Sequence, residues 1–175
     1  MKKNKIKILI FIGIFTLIFN LAANVKIDFR EEIKKISSVF IQEIENEHQI
    51  YCIGEGGHMA NDLEGITLSF IAYREGSIEE ARKIEVCAIQ KLTQLINANK
   101  KLRPYLREYP FPTHRVEICL SYKEKDNNYY PNNLAYISHI NGILRYRSQD
   151  LSTPKLILLH QETFEEALKI VTQTK

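Results

Sequence analysis

The stretch "LAYISHINGILRYRS", residues 134–148, decides the fold class. It places Asn141-Gly142 between two runs that are rich in β-branched and aromatic residues. A two-residue Asn-Gly connection is the strongest short signal of a β-hairpin, because the type I′ turn needs positive φ at both central positions. The stretch therefore predicts two antiparallel strands that are neighbours in a sheet.

Three further segments have the pattern of strands. Residues 66–73 alternate apolar and polar side chains, as do residues 116–122 of "VEICLSY". Such alternation is typical of a strand with one buried face. "KLILLH", residues 155–160, supplies one more strand. Several strands thus follow one another along the chain, which favours antiparallel pairing.

Three segments have the spacing of amphipathic helices. The first is predicted over residues 29–46, after Asp28. The other two begin at capping boxes, Ser77 with Glu80 and Thr163 with Glu166. In a capping box the first side chain accepts a hydrogen bond from the backbone of the fourth residue. The order helix, strand, helix, strands, helix predicts an α+β fold, a single domain with helices packed on one face of an antiparallel sheet.

The N-terminus has the composition of an export signal. Four lysines and no acid occupy residues 1–7, and an apolar run follows from Ile8 to Phe19. About 20 apolar residues are needed to span a bilayer, so this shorter run favours a signal peptide over residues 1–23, cleaved after Ala23. The alternative is a membrane anchor formed by residues 8–25. Both place residues 24–175 outside the cytoplasm, in the periplasm or secreted, since positive flanks stay inside.

Charge and cysteine content limit the partners of the exported part. Of the 24 Lys and Arg residues, four lie in the signal, and the remaining 20 face 21 acids. This near-neutral balance gives no reason to expect nucleic acid as a partner, and membrane contact is expected only through an uncleaved N-terminal segment. The three cysteines, Cys52, Cys87 and Cys119, have no CxxC spacing and are interpreted as small buried hydrophobic residues.

The segment "NKKLRPYLREYPFPTHR", residues 99–115, joins the second helix to the next strand. Its three prolines force an extended backbone, and its aromatic residues are apolar enough to contact the core. We interpret it mainly as a rigid connector. Its cations can also form a local patch for an anionic envelope polymer or a protein partner. The candidate binding residues are Lys101, Arg103, Tyr105, Arg107, Tyr109 and Arg115.

Three segments resemble a group of small, uncharacterised bacterial hypothetical proteins. They are "GGHM" at 56–59, "EEAR" at 79–82 and "INANKKLRPYLREYPF" at 96–111. The resemblance covers most of the mature chain and implies that these segments belong to one domain. That group has no established activity, so the resemblance implies no mechanism.

Catalytic and metal signals are weak in this sequence. Gly54, Gly56 and Gly57 are interpreted as a tight turn. Cys52 and His58 are candidates for a thiol nucleophile and its base. The histidines lack ligand spacing, so neither a metal nor a cofactor is predicted. The sequence therefore favours a binding or interaction module of the cell envelope or extracellular space. The alternative is a small envelope hydrolase that uses Cys52 and His58.

Overall fold

The structure is a computed structural model that describes residues 28–150, 152–153 and 155–173. Within these residues the chain forms three α-helices and six β-strands. The elements in chain order are α1 (Phe29–His48), β1 (Tyr51–His58), β2 (Gly65–Ala72), α2 (Ile78–Ala98), β3 (Val116–Tyr122), β4 (Tyr136–Ile140), β5 (Ile143–Gln149), β6 (Leu156–Thr163) and α3 (Phe164–Gln173). Two short 3₁₀ helices, Arg103–Tyr105 and Thr113–Arg115, lie between α2 and β3.

The six strands form one open sheet whose spatial order equals the chain order, β1 to β6. Every neighbouring pair is antiparallel except β2 and β3, which are parallel. Parallel neighbours need a long crossover connection, and α2 provides it here. The fold is α+β, as predicted. The sequence pattern did not predict the parallel pair, because the alternation within a strand does not report its direction.

The Asn141-Gly142 hairpin is confirmed. β4 ends at Ile140 and β5 begins at Ile143, so the loop has two residues. Asn141 has φ 53° and Gly142 has φ 78°, as a type I′ turn requires. The turn sets the register in which Ile140 pairs with Ile143 and His139 with Leu144.

The predicted helix starts are also confirmed. Asp28 accepts a hydrogen bond from the backbone N–H of Arg30. The hydroxyl of Ser77 accepts from the N–H of Glu80 at 3.1 Å. Thr163 and Glu166 form the complete reciprocal box, with Glu166 Oε2 2.8 Å from the N–H of Thr163. Each bond satisfies a donor that the first helical turn leaves without an intrahelical partner.

The core lies between the sheet and the helices. α2 packs on β3 and lies between α1 and α3. Alternate residues of β2 and β3 face the helices and are fully buried: Ile66, Leu68, Phe70, Ala72, Val116, Ile118, Leu120 and Tyr122. Most of the residues between them point to the other side and are only partly buried. We call that other side the open face, because none of the described helices packs on it.

The tight-turn interpretation of Gly54, Gly56 and Gly57 is wrong, since these residues lie inside β1. The strand pairs with β2 along its length, and His58 lies opposite Gly65. A Cβ atom on Gly57 would lie 2.5 Å from the carbonyl oxygen of Gly65, so a close backbone approach explains the glycine there. Glycine-rich strands have little sequence signal because glycine has low strand propensity.

The predicted signal peptide or anchor, residues 1–23 or 8–25, lies outside the described residues. Among the helices that are described, none is both long enough and apolar enough to cross a membrane.

Candidate functional site

The connector over residues 99–115 is docked on the core. Phe111 is only 1% exposed. The side chain of Asn97, in the last turn of α2, donates to the carbonyl of Phe111 at 2.9 Å and accepts from its N–H at 2.7 Å. The backbone of Leu106 bridges to Leu63 in the loop before β2. The segment is therefore fixed by main-chain hydrogen bonds as well as by apolar packing.

The arginine at the centre of the predicted binding surface is engaged by acids of the same chain. Arg107 donates to both carboxylate oxygens of Asp62, at 3.0 and 3.1 Å. Its third nitrogen lies 2.9 Å from Glu64. The hydrogen bond with Asp62 raises the pKa of Arg107, so this guanidinium stays charged and paired. A bidentate pair of this kind leaves few donors for an outside anion.

Two of the other predicted cations, Arg115 and Lys101, are also paired with acids. Arg115 contacts Glu108 at 3.3 Å and donates to the carbonyl of Glu64 at 3.0 Å. Lys101 lies 3.5 Å from Glu32. The cations and acids alternate across the surface, so the patch has little net charge to attract an anionic polymer.

The aromatic residues of this surface have different positions. Tyr105 stacks on Phe29 with ring centroids 5.2 Å apart, and it packs against the core. Tyr109 is 51% exposed and lies under the guanidinium of Arg103, 4.9 Å from its ring centre. The structure thus brings the six predicted binding residues onto one connector, but only Arg103 and Tyr109 are without an acidic partner or a core contact in the described chain.

Cys52 and His58 are not brought together. They lie near opposite ends of β1, where they pair with Phe70 and Gly65 respectively. Six residues of extended strand span about 20 Å, far beyond hydrogen-bond reach. Burial also raises the pKa of Cys52, which opposes formation of the reactive thiolate. This geometry gives no support to a Cys52–His58 hydrolase site.

The cysteines are less buried than the sequence interpretation assumed. All three are partly exposed, and no disulfide joins them to one another. Cys119 is on the open face of β3, where it pairs in register with Ser138 of β4. Cys87 lies on α2 beside a surface cleft instead of facing the sheet.

A buried polar network ties the last strand to α2. Arg82 donates to Glu162 at 2.7 Å, and the hydroxyl of Tyr146 donates to the same carboxylate oxygen. The side chains of Arg82 and Glu162 are only 11% and 5% exposed. This network is satisfied within the chain and holds the second half of β6 in place. Sequence reasoning missed it because its members are far apart along the chain.

A pocket of about 660 Å³ opens at the β1 side of the sheet. Its apolar lining comes from Tyr51 and Ile53 of β1, Ile71 of β2 and Tyr73 just after β2. Tyr51 pairs in register with Ile71, so both point to the open face. Tyr51, Ile53 and Tyr73 are 55%, 61% and 42% exposed, and the two tyrosine rings lie 6.1 Å apart. Exposed apolar side chains that lie together in this way are a common feature of interaction sites and ligand-binding grooves.

The polar rim of this pocket carries two cations with different roles. Arg74 is held by Glu80 at 2.7 Å and by the carbonyls of His48 and Gln49. Lys125 makes no ion pair with any residue that the structure describes. An unpaired ammonium group beside an apolar pocket is available to a ligand carboxylate. The sequence analysis missed the pocket because it interpreted the β1 glycines as a turn.

The comparisons with known proteins identify no relative. The chain matches no protein-family model, no curated protein and no solved structure. The resemblance to uncharacterised bacterial proteins therefore stays a prediction.

Proposed function

We propose that this protein is an exported interaction module that binds an extended segment of a partner protein along β1, at the pocket formed by Tyr51, Ile53, Ile71 and Tyr73. The observation that carries the proposal is the exposure of Tyr51, Ile53 and Tyr73 around one pocket on an edge strand, a pocket that the buried Ile71 also lines. We call this set the β1 pocket.

The position of the pocket supports a strand-like ligand. Among the described strands, β1 pairs only with β2, and its residues from Ile53 to His58 are exposed. An edge strand offers unpaired N–H and C=O groups to an added strand, while side-chain pockets beside it provide specificity. Glu45 already accepts a hydrogen bond from the N–H of Cys52 at 2.7 Å, so the added strand would pair beyond that residue.

The residue types in the pocket indicate the chemistry of the partner. Tyrosine and arginine are enriched among residues that dominate binding energy at protein interfaces. Two tyrosines and two isoleucines favour a large apolar anchor on the partner. Lys125 at the rim favours an acidic residue next to that anchor. The connector surface around Arg107 is a weaker candidate, because its cations are paired within the chain.

Export is the second part of this proposal, and it rests on the sequence of residues 1–23. A reporter enzyme that is active only outside the cytoplasm, fused after Lys175, is expected to be active. Mature protein that begins at Asn24 would indicate cleavage, and an intact N-terminus would indicate the anchor. A fusion that stays in the cytoplasm, with an inactive reporter, would contradict export without affecting the pocket.

A displayed peptide library tests the binding proposal. Selection on the purified full chain is expected to enrich peptides that carry an aromatic or large aliphatic residue beside Asp or Glu. Tyr51→Ala combined with Tyr73→Ala removes two anchors. The loss of one hot-spot residue, worth about 2 kcal/mol, lowers affinity about 30-fold, so the double variant should bind more than about 30-fold less tightly. Lys125→Glu should remove the preference for acidic peptides.

Tyr109→Ala is the matched control. Tyr109 is exposed to nearly the same extent as Tyr51, 51% against 55%, but it lies on the connector. The selected peptides should bind this variant as they bind the natural sequence. Equal binding by the Tyr51/Tyr73 variant, or no enrichment above a mock selection, would overturn the proposal. Loss of binding in Tyr109→Ala alone would place the site on the connector.

A further inference from the structure

A cleft of about 630 Å³ lies on the outer side of the helix layer. It is lined by residues at the end of α1 and along α2, among them Glu47, His48 and Cys87. This cleft is separate from the β1 pocket, although the two lie on either side of the junction between α1 and β1. Its lining combines carboxylate, imidazole and thiol groups, which are the side chains that bind zinc.

The three side chains converge. One ligand atom of Glu47, one of His48 and the sulfur of Cys87 all lie within 4.8 Å of one another. Nε2 of His48 is 3.8 Å from Oε1 of Glu47. In a tetrahedral site with bonds of about 2.0 to 2.3 Å, ligand atoms lie about 3.3 to 3.8 Å apart, so small side-chain rotations bring the set to bonding geometry.

A second observation also points to a ligand at this place. Nε2 of His48 is buried and has no hydrogen-bond partner among the described residues. A buried polar atom that lacks a partner costs free energy, and a bound metal ion would remove that cost by accepting the lone pair of this nitrogen.

The backbone around the cluster favours a cation. His48 is the last residue of α1, and the C-terminal end of a helix carries partial negative charge. Nη2 of Arg74 donates to the carbonyl of His48 at 3.0 Å and so fixes the end of the helix. Gln49 leaves the helix with φ 52°. The imidazole is therefore placed by a defined helix end and not by a loose loop.

Lys83 and Lys91 line the cleft, and Arg74 contacts the carbonyl of His48. Of these cations, Lys91 lies beside a proposed ligand carboxylate and opposes metal binding only in part. Lys91 is 2.9 Å from Glu43 and 3.6 Å from Oε2 of Glu47. The other oxygen of Glu47, Oε1, is the one nearer to His48. Glu47 can therefore bind a metal through Oε1 while Oε2 stays beside Lys91, which is how outer contacts orient a ligating carboxylate.

From these observations we propose that Glu47, His48 and Cys87 form a binding site for a zinc-class divalent cation, with a water molecule in the fourth position. The sequence spacing did not predict it, because two ligands come from α1 and the third from the middle of α2. The packing of these two helices creates the site.

Titration of the purified full chain with Zn²⁺ and Co²⁺ under thiol-reducing conditions tests the proposal. One equivalent of Co²⁺ should bind and produce the absorption of a cobalt–thiolate bond, and Zn²⁺ should displace it. Zn²⁺ should also raise the unfolding midpoint, since a ligand that binds only the folded state stabilises it. Cys87→Ser should abolish the thiolate band, and His48→Gln should lower Zn²⁺ affinity at least tenfold.

Cys52→Ser and Cys119→Ser are the matched controls, because each removes another partly exposed thiol. Both should keep the thiolate band and the Zn²⁺ affinity of the natural sequence. The metal-free unfolding midpoint of Cys87→Ser shows whether that variant folds. Absence of a cobalt–thiolate band in the natural sequence, its persistence in folded Cys87→Ser, or its loss in Cys52→Ser would each overturn the site.

Discussion

Glu85 provides the sharpest test of the packing described above. It lies in α2, is 0% exposed, and neither of its carboxylate oxygens has a hydrogen-bond partner among the described residues. Burial raises the pKa of Glu85 well above its ordinary value. Burial therefore favours the protonated, neutral form of this side chain in the folded protein.

The sign and the size of its effect follow from this placement. In the unfolded chain Glu85 releases its proton near pH 4.5, whereas in the folded chain it keeps the proton. Its contribution to stability is thus most favourable below pH 4.5 and falls as the pH rises towards the folded pKa. Each unit of pKa difference costs about 1.4 kcal/mol at higher pH. Glu85→Gln removes this cost and should stabilise the protein by about 1 kcal/mol or more at pH 7.

Glu85→Met removes the buried polar atoms as well. Unsatisfied buried groups cost about 1 to 3 kcal/mol, so this variant should be the most stable of the three at pH 7. Urea unfolding at pH 4 and pH 7 measures both effects, and Glu75→Gln is the control because Glu75 is exposed. The reasoning would be refuted if Glu85→Gln were less stable than the natural sequence at pH 7. It would also be refuted if the variant and the natural sequence lost equal amounts of stability between pH 4 and pH 7.

Three other substitutions test particular contacts by urea unfolding. Gly142→Val should lower the free energy of unfolding by about 1 kcal/mol or more, because Gly142 has φ 78° and a β-branched residue tolerates that conformation poorly. An unchanged unfolding midpoint would argue against the turn. Phe111→Ala should lower the free energy of unfolding by about 3 to 5 kcal/mol, since Phe111 is 1% exposed. A decrease below about 1 kcal/mol would mean that the connector is not packed on the core. Glu162→Ala should lower the free energy of unfolding by about 3 to 5 kcal/mol, because it leaves Arg82 buried without its partner. A variant as stable as the natural sequence would contradict the buried ion pair.

The elements that sequence reasoning predicted well are those with local causes. The helix caps at Ser77 and Thr163 and the Asn141-Gly142 turn depend on residues within four positions of each other. The apolar stripe of α1 is buried at Ile33, Phe40 and Ile44, as its spacing predicts. Such features can be predicted from sequence because the residues that interact are also close to one another in the sequence.

The candidate sites were harder to predict because they depend on distant partners. A run of lysines and arginines indicates a cationic patch, but Asp62 and Glu64 lie before β2 and reach Arg107 only through the fold. The bridge between Leu63 and Leu106 brings these two segments side by side. Reversing the charge of Arg107 would therefore break contacts within the chain as well as any contact with a ligand.

The order of the strands explains where uncovered apolar surface occurs. Because β1 to β6 lie in chain order, the first and last of the described strands are the edges of the described sheet. β6 exposes Ile157, Leu158 and Leu159 in succession, and such an edge can pair with another chain. The pairing of β1 with β2 shifts register between Cys52 and Gly54, and that of β6 with β5 shifts between Tyr146 and Arg147, so regularity of pairing does not distinguish the two edges. β1 combines its open edge with the β1 pocket, whereas β6 combines an open edge with a row of exposed apolar side chains. Selective recognition needs both backbone pairing and a place for partner side chains, which is why the partner segment is proposed to bind at β1.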